Sequence, residues 1–184
     1  MQKMGFARRW VDWIMACVTS VRYTVKFNET LLDSFAPSCG LRQGDPLSPF
    51  LFLFVADGLS ALLKDGEERG DYSPLKICRR APGVSHLLFA DDNIVFLEGS
   101  QSNLEALKAI LRDYEVASGQ KVNMQKSSIF FGEGSTDENK EHLKEIIGIQ
   151  SEALSEKYLG LPTVMGSSKE GTFKYVRECA KGKF

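Results

Sequence analysis

Long hydrophobic runs, paired cysteines and an excess of charge of one sign are all missing from this 184-residue chain. Trp10 to Val18 is interrupted by Asp12, and Phe50 to Val55 is far too short to cross a bilayer. The opening also lacks the small-residue cleavage site of a secretory leader. A soluble protein with no membrane partner is therefore expected. The four cysteines (Cys17, Cys39, Cys78, Cys179) are widely spaced with no Cys-x-x-Cys pair. That argues against a zinc site or a disulfide framework, and for reduced, buried or inert thiols in an intracellular protein. Net charge is −1, so the chain as a whole carries no electrostatic sign of a nucleic-acid binder. Basic residues gather only locally, at Arg8-Arg9, Arg79-Arg80 and between Lys169 and Lys183, which permits such a partner without implying one. Internal repeats, low-complexity tracts and flexible linkers are absent too. What is there is an ordinary globular composition, in a chain long enough for one domain with a real core.

The chemistry concentrates in Ser85-His86-Leu87-Leu88-Phe89-Ala90-Asp91-Asp92-Asn93-Ile94-Val95-Phe96-Leu97. Leu87-Leu88-Phe89 and Ile94-Val95-Phe96-Leu97 have strand composition, and Asp91-Asp92-Asn93 has turn chemistry. The pattern predicts an antiparallel hairpin carrying two carboxylates at its tip. Adjacent carboxylates repel, and each tends to hold a proton unless a cation relieves them. Oxygen ligands suit Mg²⁺, which takes one or two protein carboxylates and keeps waters or substrate phosphates for the rest of its shell. A bare, solvated turn fits this stretch equally well.

Elsewhere, Trp10, Trp13, Ile14 and Cys17 recur at helical spacing, predicting an amphipathic helix over Phe6 to Thr19. Val21 to Phe27 and Leu31 to Phe35 read as a hairpin turning at Asn28-Glu29-Thr30. Gly40 and Gly44 frame a polar loop, Asp45 is a good N-cap and Pro46 suits the first helical position. Leu47 to Leu63 is apolar on nearly every face, so a buried helix is expected. Arg42, Gln43 and the backbone N–H groups beside Gly44 could approach a phosphate or a base, although glycine-rich caps are common. Leu75 to Cys78 is a short strand candidate. Leu104, Leu107, Ile110, Leu111 and Tyr114 mark a helix from Ser100 to Ser118 that Gly119 stops. Ser127 to Phe131 reads as a strand, Thr136 to Ile147 as an amphipathic helix, Lys157 to Leu161 as a strand, and Glu170 to Ala180 as the start of a helix. The order predicts an α+β fold, with helices on one face of an antiparallel sheet.

Gly40-Leu41-Arg42-Gln43-Gly44-Asp45-Pro46-Leu47-Ser48-Pro49, followed by Phe89-Ala90-Asp91-Asp92, resembles reverse transcriptase. The wording of the whole chain is similar to the polymerase of plant non-LTR (LINE-type) retrotransposons. Ala117-Ser118-Gly119-Gln120-Lys121-Val122-Asn123 with Lys126-Ser127, then Lys157-Tyr158-Leu159-Gly160-Leu161-Pro162, continue the likeness in the family's order. These four blocks in register cover nearly the whole chain.

The resemblance implies a partial polymerase palm over residues 1–165 and the start of a helical thumb over 166–184. It implies that Asp91 and Asp92 bind catalytic Mg²⁺, with Mn²⁺ as a substitute and Asp91 the indispensable ligand. Phe89 stands where many relatives have Tyr. Phe89 and Ala90 would join Arg42, Gln43 and Gly44 at the template and incoming nucleotide. Lys126 resembles the lysine that protonates departing pyrophosphate, with Lys121 the other candidate. Tyr158, Leu159 and Gly160 look like the primer grip. The partners implied are an RNA template and a DNA primer in the intact ancestor, in the nucleus or cytoplasm.

Nucleotidyl transfer to a primer 3′-hydroxyl uses two metals, which need a carboxylate beyond the adjacent pair. The family carries it on a strand shortly before the segment matching Lys3-Met4-Gly5-Phe6. The chain is thus expected to lack the fingers and first catalytic strand, to hold an incomplete metal site, and to be inactive alone, with Met1 an internal methionine. Asp33 has suitable apolar flanks but sits where the family has a hairpin; Asp12, Asp45 and Asp57 read as solvated or capping residues. His86 reads as a strand residue rather than a ligand. The alternative is a non-catalytic retroelement remnant that binds nucleic acid weakly at most. Another palm-fold nucleotidyl transferase or cyclase is opposed by the Gln43-Gly44-Asp45-Pro46 block. Without the missing strand, the Asp91-Asp92 hairpin becomes a sheet edge, open to self-association.

Overall fold

Helices form where apolar spacing, caps and stops agree. A computed structural model describes residues 1–76, 78–132 and 134–152, together with the backbone of strands at 157–158 and 161–162. Leu159, Gly160, Cys179 and the expected thumb segment 166–184 lie outside the described residues. The helices are α1 (Arg8–Thr19), α2 (Ser48–Arg69), α3 (Gln101–Ser118) and α4 (Asp137–Ile147). The strands are β1 (Lys26–Phe27), β2 (Thr30–Leu31), β3 (His86–Phe89), β4 (Asp92–Val95), β5 (Lys157–Tyr158) and β6 (Leu161–Pro162). The fold is α+β. Among the described residues its strands pair as three antiparallel hairpins, β1–β2, β3–β4 and β5–β6, rather than as the single sheet expected. The chain divides into two compact units, Met1–Leu59 and Ser60–Phe184, with the boundary inside α2.

The second unit holds most of the core. Ser100 caps α3 by accepting the Asn103 N–H, Thr136 caps α4 by accepting that of Asn139, and both helices end on a left-handed glycine, Gly119 and Gly148. Leu104, Leu107 and Ile110 of α3 are buried, as are Leu143 and Ile147 of α4. Lys108 ties the pair by donating to the Ile146 carbonyl at 2.6 Å. On α2, Leu63 is completely buried and Gly66 is bare for a reason: an added Cβ would lie 2.7 Å from Ile110 Cδ1 of α3. Buried Tyr72 donates its hydroxyl to the Leu63 carbonyl at 3.0 Å. Burial raises that phenol's pKa, partly opposed by the nearby Ser85 hydroxyl. Buried Asn103 serves two loops, donating to the Glu98 carbonyl and accepting the Ser73 N–H.

The first unit is thinly packed. In α1 only Ile14 is buried; Trp10 and Trp13 are exposed, although the spacing put both on a core-facing stripe. Their rings meet edge-on, and the Arg9 guanidinium lies 4.8 Å from the Trp13 ring centre. Cys17, Cys39 and Cys78 are exposed, which corrects the expectation of buried thiols. The β1–β2 hairpin turns on Asn28 and Glu29, both at positive φ, the sign pattern of a type I′ turn. Tyr23 pairs with Phe35 further down the hairpin. The helix α2 begins one residue later than the expected Leu47–Leu63, continues through the charged stretch after Leu63 to Arg69, and is not apolar-buried all round: Phe50 is 64% exposed and Leu53 62%. Periodicity marks an apolar face; whether anything covers that face is decided by the rest of the chain. Among the described residues two expected strands shrink to isolated bridges. Leu75–Cys78 contributes the pairing of Leu75 with Val84, next to that of the preceding Pro74 with Leu97, and Ser127–Phe131 contributes that of Ile129 with Glu152.

Candidate active site

Strand β3 pairs with β4 in the register His86–Val95, Leu87–Ile94, Leu88–Asn93 and Phe89–Asp92. Ala90 and Asp91 are therefore the two central residues of the turn, and Asp92 opens the returning strand. Ala90 lies at φ 51° while Asp91 does not lie at positive φ, the sign pattern of a type II′ turn. Glycine is the usual residue at that first position, because a Cβ there costs about 1–2 kcal/mol. The turn is held by Asn93, whose side chain donates to the Asp91 carbonyl at 3.3 Å.

Both carboxylates are exposed at this tip, as is Phe89 at 58%. Among the described residues neither carboxylate has an ion pair or hydrogen bond, so both are free to take a cation. Two hard oxygen donors in this setting fit Mg²⁺ with waters completing its shell. Among the described residues, no group of three or more His, Cys, Asp and Glu side chains is placed to hold a metal ion. Flanking the tip, the hairpin is two strands wide among the described residues, and further pairing begins only at its base.

His86, at the start of β3, is half-buried with both ring nitrogens engaged. Its Nε2 lies 2.7 Å from the Ser60 hydroxyl of α2, and its Nδ1 lies 3.0 Å from the Ser85 hydroxyl. Burial and the neighbouring Lys64 hold its pKa below the ordinary imidazole range, with Glu67 opposing. Sequence spacing gave no hint of the Ser60 partner, 26 positions upstream.

Lys126 closes a short turn built on Asn123. The Asn123 side-chain oxygen accepts the N–H groups of Gln125 and Lys126, and its carbonyl accepts from Ser127. Lys126 is exposed and has no ion pair among the described residues, whereas Lys121 pairs with Glu115 of α3 at 3.3 Å. The turn therefore presents Lys126, not Lys121, as the uncommitted cation. Of the residues expected at a primer grip, Tyr158 lies in β5 opposite Leu161 of β6.

In the first unit, Arg42 to Asp45 forms a turn in which the Asp45 N–H donates to the Arg42 carbonyl at 3.3 Å. Gly44 occupies its third position at φ 81°, as a type II turn requires. The Asp45 side chain accepts the Leu47 N–H at 2.8 Å and so caps the approach to α2, close to the expected role. The Ser48 hydroxyl fastens the turn by donating to the Arg42 carbonyl at 2.8 Å. The side chains of Arg42 and Gln43 are left exposed. Beside them is a shallow cleft lined by Cys17, Tyr23, Cys39, Gly40, Arg42 and Leu47.

The profile of the family described as reverse transcriptase (RNA-dependent DNA polymerase) matches residues 1–163. An uncharacterised mitochondrial protein of Arabidopsis thaliana is 48% identical over 56 residues, which is 30% of this chain and 46% of that protein. A retrovirus-related Pol polyprotein from the type-1 retrotransposable element R2 of Popillia japonica is 28% identical over 126 residues, 68% of this chain. The chain spans only 20% of that polyprotein's length. No helix among the described residues is long and apolar enough to cross a membrane. With a family profile matched across residues 1–163 and an Asp-Asp pair displayed at a hairpin tip, the chain belongs to the reverse transcriptase family.

Proposed function

We propose that these residues are part of the palm of an RNA-directed DNA polymerase from a LINE-type retroelement, and that Asp91 and Asp92 are its metal-binding pair. The observation that carries this reading is the tip of the β3–β4 hairpin, where consecutive residues expose two carboxylates that no protein cation among the described residues neutralises. Mg²⁺ held there would supply the charge that activates a primer 3′-hydroxyl and steadies the leaving oxygen. The chain's own residues would do the rest. The rigid Arg42–Asp45 turn would offer a guanidinium, an amide and backbone N–H groups to template or nucleotide, and Lys126 would give a proton to departing pyrophosphate. Residues 1–165 would form the palm and 166–184 the first part of a thumb, with Tyr158, Leu159 and Gly160 against the primer. Among the described residues no third acid joins the pair, so these 184 residues by themselves should be inactive.

The test of the binding surface is a salt titration. Single-stranded RNA or a primer–template duplex should bind weakly and lose affinity as salt rises. Arg42→Ala and Lys126→Ala should each flatten the slope of log affinity against log salt by about 0.7–0.9, the contribution of one phosphate contact. Binding that ignores salt, or no binding at the lowest salt, would favour the non-catalytic remnant.

The same reading has a consequence for solution behaviour. Val25, Phe27, Leu31, Leu32 and Phe35 are exposed around the β1–β2 hairpin, and the β3–β4 tip has open edges. Unpaired strand edges with apolar side chains template pairing with another chain. Sedimentation of the purified chain should show concentration-dependent association. A single monomeric species with cooperative melting would contradict it.

A further inference from the structure

The β3–β4 hairpin grips its surroundings with only one apolar face: Leu88, Ile94 and Val95 are half-buried, Leu87 and Phe89 are exposed, and no residue from His86 to Val95 is fully buried. Such a partly covered face leaves room for a second anchor on the angle at which the tip is displayed. The polar contacts at its base supply this. Ser60 and Leu63 stand one helical turn apart on α2, and each receives a partner: the His86 ring at Ser60, the Tyr72 hydroxyl at the Leu63 carbonyl. Ser85, buried next to His86, accepts the Phe96 N–H with its carbonyl at 2.7 Å and so reaches across to the end of β4.

An imidazole is well suited to this place. One neutral tautomer donates from Nδ1 to Ser85 and accepts from Ser60 at Nε2; the other reverses both bonds, and the imidazolium donates to both hydroxyl oxygens. The contact therefore survives every protonation state. The charged and titratable groups around the ring are Lys64 and Glu67 of α2, with Tyr72 on the far side of Ser85.

We propose that Ser60 and His86 are positioning residues that pin β3 to α2 and so fix where the Asp91 and Asp92 carboxylates stand. This role rests on the metal-binding reading of those two residues. A metal ligand must be held to within about 0.5 Å, and a two-stranded hairpin alone does not hold its tip so tightly.

The test uses the full chain and two readouts. In amide hydrogen exchange, Ser60→Ala and His86→Ala should each speed exchange across Leu87–Val95 by about five- to tenfold, the worth of one hydrogen bond of about 1 kcal/mol. Exchange in α3 should stay unchanged, and the double variant should be no faster than His86→Ala, which already removes the contact with Ser60. Ser60→Ala suits the experiment because alanine is the best helix former and leaves α2 intact. In the second readout, Mn²⁺ affinity is measured from the free-ion EPR signal, with Asp91→Ala as the control that removes the site. Affinity should fall in Ser60→Ala and His86→Ala, and His86→Gln, which keeps one polar group facing Ser60, should recover part of it. Unchanged hairpin exchange, or exchange raised equally in α3, would overturn the pin. A loosened hairpin with unchanged Mn²⁺ affinity would make these contacts structural only. A wild-type chain whose Mn²⁺ binding ignores Asp91→Ala would overturn the metal reading itself, and the exchange data tell that failure apart from failure of the pin.

Discussion

Joined to the upstream segment of an intact relative, this chain should extend a primer, whereas the 184 residues alone should give no detectable product with Mg²⁺ or Mn²⁺. The contrast follows from the geometry of the hairpin tip. Asp91 and Asp92 offer oxygens for one cation, and no third acid among the described residues joins them. A second cation, which nucleotidyl transfer would use, would need a further carboxylate to hold it. Asp33 is not assigned that role in this reading: it lies on the exposed arm that follows β2, between the backbone contacts of Leu32 with Val25 and of Phe35 with Tyr23. In the joined protein, Asp91→Ala should cut extension by about a thousandfold or more. A metal ion contributes several kcal/mol at the transition state, and each ~1.4 kcal/mol is a factor of ten.

The largest effect on stability should come from Leu63→Ala, at about 2–5 kcal/mol, a large share of the 5–15 kcal/mol typical of a domain. Leu63 has no exposed surface and its carbonyl receives the Tyr72 hydroxyl, so truncation leaves a cavity and slackens that contact. Phe27→Ala, at a side chain 63% exposed, should shift stability by no more than about 0.5 kcal/mol despite removing more carbon. Urea unfolding followed by far-UV circular dichroism measures both. Equal losses would mean that the β1–β2 hairpin is packed in solution in a way the structure does not hold.

Much of this architecture is legible in the residues. The caps Ser100 and Thr136, the stops Gly119 and Gly148, and the apolar spacing between them define α3 and α4 almost to the residue. The β3–β4 hairpin is legible because two β-rich runs flank a polar tip, and Leu88 and Val95 fall on paired strands as expected, but the turn centres on Ala90 and Asp91, and Asp92 and Asn93 of the expected turn belong to β4. What was not legible depends on partners distant in the chain. The stripe of Trp10, Trp13 and Cys17 looks like a core face, yet a stripe carries no information about what lies opposite, and these side chains are exposed. The same holds for Phe50 and Leu53 on α2. Ala90 at positive φ has no sequence signal either, since glycine would be expected there. The contact of Ser60 with His86 joins two unremarkable residues from different elements, which no local pattern can pair.

The central claim is that the Asp91-Asp92 tip is the metal site of a nucleotidyl-transfer centre. Single-turnover incorporation of one nucleotide tests it most directly, using the joined protein with and without Asp91→Ala at matched melting temperature. The account expects a loss of about a thousandfold or more with unchanged primer–template affinity. Incorporation at the unsubstituted rate would contradict it.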